Sequence, residues 1–235
     1  MENIFNNKKG YKRIYIDLPG MGKSSSEKWI TNSDIILNIV IALIEKILPN
    51  KNFLLAGESY GGYLSRGILY KMTKRIDGIM LICHVIIADN KKRNVQEHVI
   101  LVKDNMLLSK LTSDEIDDFN SSSVVQNEII YERYKNEIIS RIEIANHEFL
   151  RNIKRNEYKF SFDVDKLDGK FNKPALIMVG RQDSCVGYKD SWNILENFPR
   201  ASFAVLDRAG HNLQIEQEEL FNSLVNEWLI RVDES

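Results

Sequence analysis

Gly57-Glu58-Ser59-Tyr60-Gly61 lies between a short apolar run of strand character, residues 52–56, and a stretch with helical patterning that reaches about Met72. G-x-S-x-G between a strand and a helix puts a serine on a sharp, strained turn. Such a turn leaves little room for side chains, so Gly57 and Gly61 are the positions expected to relieve the clash. The turn lifts the Ser59 hydroxyl above a sheet. It also brings the Tyr60 N–H to a helix N-terminus, aimed at a developing oxyanion.

Serine is a weak nucleophile without a base. Strand-like runs recur at residues 76–83, 175–179 and 202–206, alternating with helical stretches that begin at Ser33 or Asp34, at Ser191 and at Glu216. Alternation of this kind implies parallel pairing and a sheet covered on both faces. Asp183 follows one of these strands in Gly180-Arg181-Gln182-Asp183, and His211 follows the last in Ala209-Gly210-His211-Asn212. Alone, Asp183 reads as a turn or capping residue and His211 as a surface-loop histidine. Together with Ser59 they leave one sheet edge in the order nucleophile, acid, histidine, which is the pattern of a catalytic triad.

With Asp17-Leu18-Pro19-Gly20-Met21-Gly22-Lys23-Ser24 added, the chain resembles the α/β-hydrolase family over nearly its whole length. That octapeptide looks like the family's D-x-P-G-x-G-x-S loop after an early strand, here residues 13–18. The resemblance implies an α/β fold with a mostly parallel sheet flanked by helices. The core would be residues 1–83 and 173–235, with an inserted helical cap at 84–172. It implies that His211 takes the Ser59 proton, that Asp183 holds the histidine tautomer, and that an acyl-enzyme forms and is cleaved by water. No metal or organic cofactor is required. The implied partner is a small-molecule substrate, most simply a small acyl ester.

The family's first strands are missing, as is the His-Gly-type loop that carries a second oxyanion donor. Residues 2–6 resemble the tail of the helix that should follow that loop. Without the missing strand, residues 13–18 must pair directly with 52–56 or an edge opens in the sheet. A truncated reading frame or a divergent member is implied, with reduced turnover, because one oxyanion donor is worth about 10²–10³ in rate. The alternative is therefore a catalytically impaired or non-catalytic binding protein that keeps the fold. A P-loop is the further rival, since Gly22-Lys23-Ser24 resembles the end of G-x-x-x-x-G-K-[ST]. There, Asp17 replaces the first glycine and would repel phosphate, and Pro19 removes an N–H.

Lys and Arg number 32 against 33 Asp and Glu, for a net charge of −1, so no charge bias points to nucleic acid or an anionic membrane. Two cysteines, Cys83 and Cys185, are too few for a disulfide framework and fit a cytoplasmic setting. The polar start lacks a signal-peptide core, and the longest apolar run, residues 35–48, is interrupted by Asn38, Glu45 and Lys46. His84, His98 and His147 are scattered without metal-ligand spacing and read as structural. Within the cap, residues 95–108, 113–119 and 127–149 show helical periodicity. Val99, Ile100, Val102, Met106 and Leu107 form an apolar face that packs on the core or roofs a pocket. The acidic run 114–118 reads as a solvated helix face. Ser121-Ser122-Ser123 reads as a loop or hinge. Cys185 near the site reads as packing, Glu58 as a polar elbow residue or a neighbour of the site, and Glu216 as a cap or anchor of the histidine loop.

Overall fold

Four of the apolar runs pair into one parallel sheet in the computed structural model, which describes residues 2–6, 8–156 and 158–235. Met1, Asn7 and Glu157, which fall within the expected core and cap spans, lie outside the described residues. In chain order the first elements are α1 (Glu2–Phe5), α2 (Ser33–Ile47), β1 (Phe53–Glu58), α3 (Ser59–Met72) and β2 (Ile76–Ile82). A helical stretch follows: α4 (Asn105–Leu108), α5 (Ser113–Ser122), α6 (Glu128–Tyr134), a wider turn at Lys135–Ile139, α7 (Ser140–Ile142) and α8 (His147–Asn156). The chain then forms β3 (Ala175–Gly180), a 3₁₀ turn at Asp190–Asn197, β4 (Ala201–Leu206), α9 (Leu213–Glu216) and α10 (Glu218–Asp233).

The sheet order is β1-β2-β3-β4 with every pair parallel. Its two inner strands carry Ile79, Leu81, Leu176, Ile177 and Met178 at 0% exposure. These runs are apolar without alternation because both of their faces are covered. The cap of α2 lies one residue before the expected positions: Asn32, not Ser33 or Asp34, accepts the Ile35 N–H.

Two expected elements do not form. Residues 13–18 are extended but have no ladder partner among the described residues, and Tyr15 is 62% exposed. Side chains hold this segment instead: Arg13 and Tyr15 both bind the Glu2 carboxylate, and the Tyr11 hydroxyl donates to Asp233 at 2.7 Å. The outer flank of β1 is therefore open among the described residues, and no residue of β1 is buried. Residues 95–108 are helical only at Asn105–Leu108. Leu101 and Val102 instead donate to the Val124 carbonyl at 2.8 and 3.2 Å, so this stretch runs extended against 124–126 and leaves Val99 and Met106 exposed.

The apolar side chains form two clusters. The larger surrounds the sheet and takes in Ile153, Phe160, Val164 and Phe171 from beyond the middle of the helical stretch. The smaller centres on Phe119, with Leu107, Val124, Tyr131 and Tyr134, and receives Ile215 from α9. Packing thus divides the block 84–172: its middle has its own core, and its end belongs to the sheet. Ile177→Ala is expected to cost about 2–5 kcal/mol, because it empties a position closed on both sheet faces. Urea unfolding checks this, and a loss below about 1 kcal/mol would contradict the placement.

Candidate active site

Ser59 is the first residue of α3, directly after β1, and its φ of +52° lies in the left-handed region. A non-glycine residue pays about 1–2 kcal/mol for that conformation. The surroundings enforce it. A Cβ at Gly57 would stand 2.4 Å from both the Gly61 carbonyl oxygen and Ser65 Oγ. A Cβ at Gly62 would stand 2.4 Å from the His84 Cβ, whereas one at Gly61 would meet nothing within 4 Å. The requirement for glycine therefore falls on Gly57 and Gly62, and steric relief does not explain Gly61. Val85 N–H closes the turn by donating to the Ser59 carbonyl at 3.1 Å.

His211 lies between Ser59 and Asp183. Its Nε2 is 2.9 Å from Ser59 Oγ and its Nδ1 is 2.9 Å from Asp183 Oδ2. The other Asp183 oxygen accepts from the Cys185 and Val186 N–H groups at 2.8 and 3.0 Å. Burial opposes the charge of Asp183, yet the hydrogen bond and charge of His211, with those two N–H groups, hold its carboxyl below its ordinary value. Burial likewise opposes protonation of His211. The hydrogen bond and charge of Asp183 outweigh it, Glu58 adds to them, and the ring's pKa is raised. The Tyr60 N–H belongs to the first turn of α3, where N–H groups lack intrahelical acceptors.

Two further carboxylates surround the histidine. Glu58 accepts from Gln214 Nε2 at 3.0 and 3.1 Å, and burial pushes its carboxyl up. Glu216 is buried; it accepts from Gly210 N–H at 2.5 Å with one oxygen and from Val124 and Val125 N–H at 2.6 and 3.3 Å with the other. It thus anchors the histidine loop, and it also ties that loop to the helical stretch. That second tie is invisible in sequence, because its partners lie 92 and 91 positions away.

Cys83 Sγ, Asp183 and His211 bring three potential ligand atoms within 4.8 Å of one another. Burial and the neighbouring carboxylates push the Cys83 thiol well up, and it donates to the Gly210 carbonyl at 3.5 Å. His84 is buried, and its pKa is lowered to about 3 by burial and then by Arg66. It is a neutral core residue. Arg66, 2% exposed, donates to the Val85 carbonyl at 2.7 Å and pairs with Asp165 at 2.5 Å, fixing the loop after β2. Its signal was an arginine within the apolar run of α3. The loop at Asp17–Ser24 offers no phosphate cradle: the Asp17 carboxylate itself takes the Lys23 N–H at 3.0 Å, and a Cβ on Gly22 would stand 2.3 Å from it.

The profile of the α/β hydrolase fold family matches residues 2–218. The chain belongs to that family and is an α/β-fold hydrolase. It is similar to an α/β superfamily hydrolase of known structure from Oenococcus oeni, at 31% identity and a TM-score of 0.88, covering 97% of this chain and 84% of the other. It is also similar to a 2-hydroxy-6-oxononadienedioate/2-hydroxy-6-oxononatrienedioate hydrolase from Burkholderia vietnamiensis, at 25% identity over 94% of this chain and 77% of the relative. A putative aryl esterase from Burkholderia cenocepacia shares the fold at a TM-score of 0.69 and 19% identity, over 93% of this chain and 79% of the other. No helix among the described residues is long and apolar enough to cross a membrane.

Alanine at Gly57 is expected to cost about 1–3 kcal/mol through overpacking. Alanine at Gly61 is expected to be neutral, or to stabilise by up to about 1 kcal/mol through helix propensity. Melting temperatures of the two variants check this. Equal losses would remove the steric distinction.

Proposed function

We propose that Ser59, His211 and Asp183 are the catalytic triad of a serine hydrolase acting on an ester or related acyl substrate. The unbroken hydrogen-bond relay, 2.9 Å from Ser59 to His211 and 2.9 Å from His211 to Asp183, carries this reading. As Ser59 Oγ attacks the substrate carbonyl, its proton passes to His211 Nε2 and from there to the leaving group. Asp183 keeps the ring's other proton on Nδ1 and offsets the charge that forms. The Tyr60 N–H donates to the oxyanion. Water, deprotonated by the same histidine, then cleaves the acyl-enzyme. The helical stretch with its own Phe119 core acts as a cap, and Glu216 joins its Val124–Val125 segment to the histidine loop.

A fluorophosphonate probe is expected to label Ser59 covalently, and Ser59→Ala is expected to abolish labelling and lower ester turnover by about 10⁴-fold or more. An unlabelled but folded protein would overturn the reading in favour of a non-catalytic binding protein.

The histidine must be neutral to act as base. Because its pKa is raised, kcat/KM is expected to fall as pH drops through a value above the ordinary 6.5. Glu58→Gln removes one of the charges that raise it, so the acid limb should move to lower pH. A limb unmoved by this substitution would show that Glu58 does not act on His211.

A further inference from the structure

A cavity of about 620 Å³ is walled in part by Arg93, Lys154, Arg155 and Lys159 and by the rings of Tyr158 and Phe160, and none of Ser59, Asp183 and His211 lines it. Two contacts link its wall to the neighbours of those three residues. Tyr158 packs on Tyr60, the residue after the nucleophile, with ring centroids 4.9 Å apart. Arg93 donates to the carbonyl of Cys185, two residues past Asp183, at 3.1 Å, and its charge acts on the His211 ring.

The charge balance of this cavity is one-sided. Four cations face two acids: Asp34, which accepts the Ser161 N–H at 3.1 Å and keeps its charge, and Asp89, which accepts the Lys91 N–H at 3.1 Å and pairs with Lys92 at 3.6 Å. Among the described residues, none of the four cations forms an ion pair with a carboxylate. Arg93 is nevertheless held in place. Its Nε donates to the Ile87 carbonyl at 2.8 Å, Nη2 to Ala88 at 3.3 Å and Nη1 to Cys185. Arg93 also hydrogen-bonds the Tyr158 side chain. Neutral acceptors orient a guanidinium without neutralising it, and four such bonds leave one of its five N–H donors for another acceptor. A cation ordered in advance loses little rotamer entropy when an anion arrives. The aromatic wall beside it suits the apolar chain of an acyl group.

We propose that this cavity receives the carboxylate end of an anionic acyl substrate, with Arg93 as its main specificity-determining residue and Lys154 beside it. The proposal rests on the serine hydrolase reading and names its substrate class: half-esters of dicarboxylic acids, cleaved at the ester with the free carboxylate held by Arg93.

The test measures kcat/KM by pH-stat for monoethyl esters of glutarate, adipate and suberate against neutral ethyl esters of matched length. The wild type is expected to prefer the best half-ester over its neutral match, and added salt should erode the preference. Arg93→Gln is expected to lower the ratio of the two kcat/KM values by about 10-fold or more, since it removes a charge-assisted hydrogen bond. Lys154→Gln should move the ratio in the same direction by a smaller factor; it also tests the site if the Arg93 variant does not fold. A merely structural Arg93, acting through the Cys185 carbonyl, would depress both substrates and leave the ratio unchanged. That outcome, or a wild type indifferent to the charge while fluorophosphonate still labels Ser59, would overturn the anionic site alone. Absence of both labelling and turnover would overturn the serine hydrolase reading with it.

Discussion

The left-handed backbone at Ser59 is the constraint on which the rest of the structure turns. A strand that enters a helix through one residue at φ +52° needs neighbours without side chains, and Gly57 and Gly62 supply that space. The strain is held by contacts made elsewhere. The Val85 N–H grips the Ser59 carbonyl, and Arg66 grips the Val85 carbonyl from two turns further along the same helix. Cys83, also at positive φ (+38°), bends the chain so that Val85 can reach. The elbow is thus a closed circuit of helix, β2 loop and Ser59, and the serine cannot relax without breaking the Val85 hydrogen bond.

Around that elbow the fold gathers acids. Asp183, Glu58 and Glu216 all lie near the histidine loop, and each is satisfied differently. Asp183 takes two backbone N–H groups and the ring, Glu58 takes an amide side chain, and Glu216 takes three backbone N–H groups. The distinction decides their effects. Of the three acids, only Asp183 hydrogen-bonds the ring. Glu58 acts on the ring through space. Glu216 carries its influence through backbone position, because the N–H it holds belongs to the residue before His211. A buried carboxylate that bonds the histidine loop and the helical stretch together makes the placement of one depend on the other.

The parallel sheet and the three loops leaving its edge were legible because each depends on local pattern: an apolar run of five or six residues, then a glycine turn, then a polar residue of the right type. The misreadings share one physical origin. Residues 13–18 are as apolar as a strand, but a strand also needs a neighbour to pair with, and sequence pattern carries no record of one. Residues 95–108 have helical spacing, yet their N–H groups find the Val124 carbonyl, so tertiary pairing overrode the period. Gly61 fits the motif as well as Gly57 does, and only the three-dimensional neighbours separate them. Arg93 gave no signal, because its significance lies in meeting Cys185, 92 positions away.

The open flank of β1 shows how little the three side chains rely on that side of the strand. Ser59, Asp183 and His211 follow β1, β3 and β4, and the three side chains keep hydrogen-bonding distance although one side of β1 is unpaired among the described residues. This is possible because β1 is fixed from its other side. Leu54 to Glu58 pair in unbroken register with β2, after a shift at Phe53, and α3 packs back across both strands. Among the described residues, the hydrogen bonds joining Ser59, His211 and Asp183 draw on contacts toward β2, β3 and the helical stretch, and on no strand on the open side. The geometry that joins Ser59, His211 and Asp183 is therefore built without a ladder neighbour on the outer side of β1.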